Sequence, residues 1–245
     1  KKVFIYSIIP FLIFRCFEQI RNIICHNNLN VKLIGAGGGF SYGNQGVSHN
    51  ATEDLSILRS LPNLTIFTPG TKIEATLAFD IMMDQNGPGF IRLGKVPDKE
   101  FHSSEPKYTL GKGLIIKDGS DIAIICIGNI VEDVMDAANE LDQLGINAKI
   151  ITLLTIKPID KEYINEIAQT HKAIFTVEEH NEIGGLGTAV SEILAVSKTS
   201  NIIFKRIGLN EKPHLEIGTQ EYLKEIYGLS SQKIANRITS YLNEK

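Results

Sequence analysis

Short apolar runs alternate with segments of helical periodicity along the whole chain, and this alternation constrains the fold more than any other feature. Several runs are rich in Ile and Val without alternating polar residues, which is typical of strands covered on both faces of a parallel sheet. The predicted strands are residues 3–6, 31–35, 65–68, 90–93, 114–117, 122–127, 148–153, 173–177 and 202–207. The predicted helices are residues 11–26, 53–60, 72–83, 130–144, 161–169, 187–196, 220–226 and 232–242. The sequence therefore predicts an α/β fold built on parallel strands.

A polar stretch near the middle of the chain divides this pattern into two units. Residues 95–108 (KVPDKEFHSSEPKY) contain two prolines and show no hydrophobic period, as is typical of a linker between domains. We therefore expect a first unit of residues 1–95, a linker of residues 96–109 and a second unit of residues 110–245. The total of 245 residues suits one or two domains.

Composition excludes several classes of partner. The 25 Lys and Arg against 28 Asp and Glu give a net charge of −3, so there is no basic excess for a nucleic acid partner. The N-terminal apolar run is shorter than the roughly 20 residues of a membrane span, and Pro10 interrupts it, so no membrane partner or signal peptide is expected. Cys16, Cys25 and Cys126 form no Cys-x-x-Cys pair, which favours a reducing, cytoplasmic setting.

Three phenylalanines recur behind Pro10 in the segment FLIFRCFEQIR. Phe11, Phe14 and Phe17 are spaced by three residues, so in one continuous helix they would line a single stripe. One interpretation is a helix that packs this stripe into the core, and the spacing alone favours it. The other is an aromatic surface that stacks on a flat heteroaromatic ring.

A glycine-rich segment follows the second predicted strand and ends near a histidine. In IGAGGGFSYGNQGVSHNATEDL, Gly37, Gly38 and Gly39 follow the strand, and His49 precedes the next predicted helix. Such loops let backbone N–H groups approach a phosphate or ligand closely. The glycine spacing matches neither the Walker motif nor the dinucleotide-binding fingerprint. His49 is a candidate substrate contact, although a lone histidine is more often structural or simply exposed.

A second glycine-containing segment, VEEHNEIGGLGTAVSE, lies in the second unit. Glu178, Glu179 and His180 end a predicted strand, and the glycines open the next helix. Consecutive residues of a strand point to opposite faces, so these three are not expected to converge on a metal ion. We expect a structural junction between strand, loop and helix, with a subunit contact as one setting for it, and we assign no metal ligand in the sequence.

These segments resemble the transketolase family of thiamine diphosphate enzymes. The resemblance rests on FLIFRCFEQIRNIICHNNLNVKLIG, GVSHNATEDLSILRSLPNLTIFTPGTKIEA and GFIRLGK, and then on LLTIKPID, VEEH and GGLGTAVSE. It spans nearly the whole chain and looks closest to the C-terminal half of split bacterial transketolases. It implies the rear part of a pyrimidine-binding domain with a parallel sheet, followed by a transketolase C-terminal-like α/β domain. The implied activity is transfer of a two-carbon ketol unit between sugars or sugar phosphates.

The resemblance also implies roles for four residues. Phe11, Phe14 and Phe17 match aromatic residues that surround the aminopyrimidine of the cofactor. His49 matches a catalytic histidine that lines the substrate channel beside the reactive carbon, where it would hydrogen-bond sugar hydroxyls or a developing alkoxide.

Three positions depart from the family pattern. Lys95 stands where the family commonly has an arginine that holds the sugar phosphate, and a lysine lacks the bidentate fork. Gln45 stands where many members have an aspartate that contacts substrate hydroxyls, and Gly37 stands where many have a further histidine. These departures put a classical pentose phosphate substrate in question.

The resemblance implies thiamine diphosphate and Mg²⁺ as cofactors, with the metal and diphosphate bound mainly by a partner domain. The glutamate that protonates the pyrimidine lies upstream of the FLIFR block in the family, so we expect it outside this chain. The diphosphate-binding domain with its Gly-Asp-Gly signature is expected on an N-terminal transketolase-like subunit. The chain alone is therefore expected to be inactive, and unpaired strand edges are expected to favour self-association.

Two further functions remain open. A related thiamine diphosphate reaction would make the chain part of a deoxyxylulose-phosphate synthase or a β-type subunit of a 2-oxo-acid dehydrogenase, although LRSLPN and Ser48-His49 favour the sugar enzymes. A different class is a non-catalytic dimerisation or scaffold fragment, which the expected absence of the glutamate would support.

Overall fold

The computed structural model describes residues 1–94, 99–197 and 202–244. The strands of this part are β1 (Val3–Ile8), β2 (Val31–Ala36), β3 (Thr65–Phe67), β4 (Gly89–Leu93), β5 (Gly113–Lys117), β6 (Ile122–Cys126), β7 (Ala148–Leu153), β8 (Thr155–Lys157), β9 (Ala173–Asn181) and β10 (Ile203–Leu209). They form two five-stranded sheets. The predicted α/β fold is confirmed.

The helices of the described part are α1 (Ile9–Ile13), α2 (Phe17–Gln19), α3 (Asp54–Arg59), α4 (Lys72–Asp84), α5 (Val131–Gln143), α6 (Lys161–Thr170), α7 (Leu186–Ala195), α8 (Gln220–Ile226) and α9 (Ser231–Asn243). A π-helical turn (Ile20–Cys25) continues α2, and two 3₁₀ turns occupy Gly43–Gln45 and Gly128–Ile130. None of the helices in the described ranges is both long enough and apolar enough to cross a bilayer.

The first sheet has the strand order β1-β2-β4-β3-β8. Its first four strands are parallel, so their carboxyl ends meet at one edge, where α/β sheets place their ligands. β8 pairs antiparallel with β3, although it lies beyond the predicted linker. The predicted pattern lacked β8, because three residues carry no measurable period. This strand ties the second half of the chain to the first sheet.

The second sheet has the order β10-β9-β6-β7-β5. β5 is antiparallel to β7, and the other neighbours are parallel. β6 is buried at every position, as expected from its unbroken run of Ile and Ala. One hydrophobic cluster joins the two halves, since it holds Leu58 and Ile66 from the first together with Ile164 and Leu186 from the second.

The predicted helix over residues 11–26 is wrong as a single element. α1 ends at Ile13, and Cys16 has φ −110° and ψ 19°, outside the helical region. The chain becomes helical again at Phe17 and soon widens into the π-helical turn. Three-residue spacing therefore does not place Phe11, Phe14 and Phe17 on one stripe.

β1 forms an edge of the first sheet and is unusually open to solvent. The exposed fractions are 48% for Val3, 43% for Phe4, 37% for Ile5 and 69% for Tyr6. An apolar edge strand offers unpaired backbone groups and apolar side chains to another chain segment. Within the described residues, β1 is therefore an apolar edge strand that is open to solvent.

Candidate active site

Phe11 and His49 bring the aromatic segment and the glycine-rich loop together. Their ring centroids lie 4.9 Å apart with the ring planes at 72°, which is an edge-to-face contact. The guanidinium carbon of Arg15 lies 4.3 Å from the Phe11 centroid, in a cation–π arrangement. Phe11 and His49 are half-buried, and Arg15 is exposed. These three residues form a surface that combines an aromatic ring, an imidazole and a cation.

The imidazole of His49 is held by its immediate neighbours. Ser48 Oγ lies 3.0 Å from His49 Nδ1, and the backbone N–H of His49 donates to Gly46 O at 2.9 Å. Because Nδ1 interacts with Ser48, the interaction of this ring with a ligand would fall to Nε2. The Ser48 hydroxyl can pair with Nδ1 in either tautomer, since it can donate or accept.

The other two predicted aromatic residues lie in different environments. Phe14 is 40% exposed, at the break that follows α1. Phe17 is half-buried and packs against the hydrophobic cluster shared by the two halves of the chain. Phe14 thus retains accessible ring surface, whereas Phe17 matches the core interpretation more closely.

The backbone N–H groups of Gly37, Gly38 and Gly39 in the glycine-rich loop donate hydrogen bonds to other backbone groups of the protein. The N–H groups of Gly37 and Gly38 both donate to Leu93 O, at 2.7 and 3.0 Å. Gly39 and Ala51 exchange two backbone hydrogen bonds, at 2.9 and 3.0 Å. The expectation that these amides could approach a phosphate does not match this arrangement. Gly37 has a positive φ of 91°, and a Cβ there would lie 2.3 Å from the Tyr42 ring, so glycine is required.

The remaining predicted substrate residues lie further along the chain. Gln45 is exposed and ends the 3₁₀ turn at the outer part of the loop. Gly43, which begins this turn, fits closely against Leu223, whose Cδ1 would lie 2.4 Å from an added Cβ. Lys95 lies outside the described residues.

A cavity of about 450 Å³ opens at the carboxyl ends of the strands of the first sheet. Its lining includes Tyr6, Gly37, Tyr42, Gly70, Gly94 and Asn129. This position agrees with the rule that α/β sheets bind ligands beyond the carboxyl ends of their strands. Gly94 is the last described residue before the segment that contains Lys95.

A buried ion pair beneath the glycine-rich loop was missed by the sequence analysis. Arg92 Nε donates to Asp54 Oδ2 at 2.9 Å, and Arg92 Nη2 donates to Asp54 Oδ1 at 3.3 Å and to Ala51 O at 2.7 Å. Both side chains are almost completely buried. A charged residue inside the apolar strand GFIRL was the available signal, because a buried charge requires a partner.

Glu179 reaches the same loop from the end of β9. Its Oε1 accepts from Phe40 N at 2.6 Å, and Gln220 Nε2 donates to its two carboxylate oxygens at 3.0 and 2.8 Å. Burial raises the pKa of the Glu179 carboxyl, and the bonds from Gln220 and Phe40 oppose this rise. Gln220, at the start of α8, was also missed.

The Glu178 side chain lies on the opposite face of β9 from Glu179 and binds the start of α7. Its carboxylate accepts from Leu186 N at 2.6 Å and from Gly187 N at 2.8 Å, in the first turn of α7. Burial still raises its pKa to about 7. A Cβ on Gly185 would lie 2.1 Å from Glu178 Oε2, so glycine is required where the chain passes this carboxylate.

His180 is buried and completes the junction. Its Nδ1 donates to Asn181 O at 2.7 Å, and its Nε2 lies 3.9 Å from Asp54 Oδ1. Burial lowers the pKa of His180 to about 4. Within residues 1–94, 99–197 and 202–244, no group of three His, Cys, Asp or Glu side chains is placed to hold a metal ion. The contacts of this segment are those of a structural junction.

The described part of the predicted linker is anchored to the first half of the chain. His102 Nε2 lies 3.0 Å from Glu74 Oε1, and Glu74 Oε2 accepts from Gly70 N at 2.7 Å. Glu100 accepts from Ile73 N at 3.0 Å, at the start of α4. Gly70 lines the cavity, so these contacts hold one of its walls.

Comparison with known proteins relates this architecture to a family. The transketolase pyrimidine binding domain matches residues 2–96, and the transketolase C-terminal domain matches residues 111–234. The chain is 31% identical to an apulose-4-phosphate transketolase subunit of Actinobacillus succinogenes, over 93% of this chain and 73% of that protein. It is 32% identical to 6-deoxy-6-sulfo-D-fructose transketolase subunit SqwH of a Clostridium species, over 98% of this chain and 74% of that protein.

A solved structure supports the same relationship. A protein described as a split gene transketolase, in an inactive beta4 tetramer, superposes with a TM-score of 0.84 and 33% identity. The match covers 98% of this chain and 75% of that one. The chain therefore belongs to the transketolase family and carries sequence of both its pyrimidine-binding and its C-terminal domain.

Proposed function

We propose that this chain is the C-terminal subunit or section of a transketolase-like enzyme that transfers a two-carbon ketol unit between sugars or sugar phosphates. The observation that carries this proposal is the contact of Phe11 with His49 in a chain related to transketolase subunits along its length. The same two positions match the family's cofactor-binding and catalytic residues in the sequence.

The residues present suit the aromatic part of thiamine diphosphate. Phe14 has accessible ring surface, and Phe11 places a second aromatic ring beside His49, so these side chains offer aromatic surface on which a flat heteroaromatic ring could stack. Phe11 and Phe14 would hold this ring, and Phe17 would support them from the core. When bound, thiamine diphosphate supplies a nucleophilic carbon and an electron sink for making and breaking the carbon–carbon bond.

The role of His49 follows from its contacts. With Nδ1 next to the Ser48 hydroxyl, its Nε2 would hydrogen-bond a sugar hydroxyl or a carbonyl oxygen that gains negative charge. Because the ring is already fixed by Ser48 and Phe11, little reorganisation is needed when the substrate binds.

We propose an N-terminal transketolase-like subunit as the partner of this chain. It would contribute the diphosphate-binding domain and most of the Mg²⁺ site, whereas the glutamate that protonates the pyrimidine is expected upstream of the FLIFR block in the pyrimidine-binding domain itself. The resulting assembly would be a heterotetramer built on a dimer, in the cytoplasm. Self-association through the open edge at β1 would occur in the absence of the partner.

Our proposal for the identity of the sugar substrate rests on three positions, namely Gln45, Gly37 and Lys95. The two relatives above are named for different sugars, apulose 4-phosphate and 6-deoxy-6-sulfo-D-fructose. Three positions that would contact hydroxyls or phosphate in the family depart from its pattern here, so we propose a sugar other than the classical pentose phosphates.

We retain the division into residues 1–95, a linker of residues 96–109 and residues 110–245 as a proposal for how the family's domains lie on the chain. β8 is then a contribution of the C-terminal domain to the sheet of the pyrimidine-binding domain. The shared hydrophobic cluster supports a fixed relation between the two.

Binding and product analysis test this function. A version of the chain that includes the upstream glutamate expected from the family would be mixed with the N-terminal partner and titrated with thiamine diphosphate and MgCl₂ in a calorimeter. The mixture would then be supplied with a ketose donor or with pyruvate. We expect heat of binding only when both chains are present, and products only from the ketose. Consumption of pyruvate would support a deoxyxylulose-phosphate synthase or a 2-oxo-acid dehydrogenase β-type subunit. Absence of cofactor binding in the mixed sample would favour a dimerisation or scaffold fragment.

A further inference from the structure

The glycine-rich loop that carries Gln45 and His49 is closed at its base. Gly39 and Ala51 exchange backbone hydrogen bonds at 2.9 and 3.0 Å, so the chain leaves and returns at one point. His49 is two residues from this base. A displacement of the base therefore displaces the imidazole that we place in the substrate site.

Side chains from the second half of the chain hold this base. Glu179 Oε1 accepts from Phe40 N at 2.6 Å, directly beside Gly39. Gly39 has φ 64°, and a Cβ on it would lie 2.5 Å from Glu179 Cδ, so the backbone passes in contact with the carboxylate. The Phe40 ring is fully buried and stacks on Tyr227, with the centroids 5.3 Å apart.

The carboxylate is itself fixed. Gln220 Nε2 donates to both of its oxygens, and Arg92 Nη2 donates to the Glu179 carbonyl oxygen at 3.3 Å. The same Arg92 nitrogen donates to Ala51 O at 2.7 Å, on the other side of the base. The two ends of the loop are thus joined to β9 and α8 through buried hydrogen bonds, which are strong when one partner is charged.

We propose that Glu179 is a positioning residue for His49, acting through the Gly39–Ala51 loop base and supported by Gln220. This inference rests on the proposed function, because it assigns to a residue of the C-terminal domain control over the substrate-facing histidine of the pyrimidine-binding domain. It predicts that loss of the carboxylate disturbs turnover more than substrate affinity, since His49 would act on charge that develops during the reaction.

Three variants, one control variant and two measurements test this proposal. Glu179→Met keeps the approximate side-chain volume but removes the acceptor for Phe40 N and Gln220. Glu179→Gln keeps one acceptor oxygen and serves as the conservative variant. Gln220→Met leaves the carboxylate in place with fewer donors, and it decides the test if Glu179→Met does not fold. Glu166→Met, on the exposed face of α6, is the matched control. Amide hydrogen exchange of residues 37–51 is measured on the chain itself. The values of kcat and KM are measured on the assembled enzyme, with the N-terminal partner and a version of the chain that includes the upstream glutamate expected from the family.

For Glu179→Met we expect about tenfold or faster exchange at Phe40 and across the loop, with β6 unaffected. We expect kcat to fall by about tenfold or more with a smaller change in KM, recovery to near wild-type values in Glu179→Gln, and a partial effect in Gln220→Met. Unchanged loop exchange in folded Glu179→Met or Gln220→Met overturns the proposal, as does a loss of protection spread evenly over the whole chain. If the wild-type pair shows no ketol transfer, the proposed function fails, whereas the exchange result still decides whether Glu179 holds the loop.

Discussion

His49 is the residue on which the proposed chemistry depends most. Its ring makes an edge contact with Phe11 and has its Nδ1 beside Ser48, so neighbouring side chains orient the ring before any ligand arrives. Preorganised donors of this kind contribute most where charge develops in a reaction. The residue is half-buried rather than in the core, so its replacement separates a functional effect from a structural one.

Replacing His49 with Asn should lower kcat/KM of the assembled enzyme by about 10²- to 10³-fold, since a donor aimed at developing charge is lost. The free energy of unfolding should change by less than about 1 kcal/mol, because the ring lies outside the hydrophobic core. Steady-state kinetics and urea unfolding check the two effects. His26→Asn, at an exposed position, is the control and should change neither quantity. Wild-type kinetics in His49→Asn would remove the histidine from the mechanism.

Phe14 offers a test of cofactor stacking at an exposed position. Phe14→Ala should raise the Kd for thiamine diphosphate of the assembled enzyme by about 2- to 10-fold, equivalent to roughly 0.5–1.5 kcal/mol of lost stacking. The measurement is a calorimetric titration in the presence of Mg²⁺. Phe79→Ala is a matched control, because Phe79 is 39% exposed on α4 and lies outside the proposed contact. Equal affinities of wild type and Phe14→Ala would contradict the stacking role.

The elements were predictable to the extent that their patterns are long and local. β6 and β7 follow directly from unbroken apolar runs, and α5 and α6 from a 3.6-residue period. β8 was not predictable, since three residues have no period and its partner β3 is about 90 positions earlier in the chain. The break after α1 was hidden for a different reason, because an apolar spacing of three fits a helix whether or not the backbone stays helical.

The candidate site shows the same division between local and non-local information. The residues Phe11 and His49 could be named from sequence motifs and from the family resemblance. Their contact, and the support of the loop by Arg92 and Glu179, depend on which strand ends become neighbours in space. The sequence pattern placed Glu179 at a structural junction. The structure shows in addition that its carboxylate accepts a hydrogen bond from Phe40 N in the glycine-rich loop.

The junction between β9 and α7 should give the protein a specific pH dependence. The folded-state pKa of Glu178 is about 7, above its ordinary value of 4.5, so the folded protein binds the proton more tightly than the unfolded chain. The corresponding stability is present below pH 4.5 and is lost as the pH rises to about 7. The lowered pKa of His180, about 4, acts in the opposite sense, since it removes stability as the pH falls from 6.5 to 4.

Glu178→Gln should therefore flatten the fall in stability between pH 4.5 and 7. The free energy of unfolding of the variant, relative to wild type, should rise by up to about 3 kcal/mol across this interval, as expected for a carboxyl that must ionise while buried. Urea unfolding at several pH values provides the measurement, and Glu166→Gln, an exposed carboxylate on α6, provides the control. Parallel curves for Glu178→Gln and wild type would rule out Glu178 as the source.

At the scale of the whole molecule, the shared core stabilises the chain as one folded body, whereas the open edge at β1 favours contact with another chain. The core joins the two halves of the chain into one body, as cluster residues from both sheets show. The edge leaves Val3, Phe4, Ile5 and Tyr6 exposed, and such an edge invites pairing with another chain. We therefore expect the isolated chain to associate through this strand.

Val3→Lys should shift the isolated chain toward a smaller species in sedimentation velocity, because a charge on an edge strand opposes strand pairing. Ile115→Lys is the matched control, since Ile115 is 50% exposed and lies on β5, the edge strand of the second sheet. A wild-type chain that sediments as a clean monomer, or a Val3→Lys chain with unchanged association, would show that β1 is not the contact.

Isotope transfer tests most directly whether an assembly that contains this chain carries out ketol transfer. A version of the chain that includes the upstream glutamate expected from the family would be incubated with the N-terminal partner, thiamine diphosphate, Mg²⁺, a ketose phosphate labelled with ¹³C in its first two carbons, and an unlabelled aldose acceptor. We expect a new ketose that carries both labelled carbons together, formed only when both chains and the cofactor are present. Labelled carbons that remain in the donor, in a mixture shown to bind the cofactor, would contradict it.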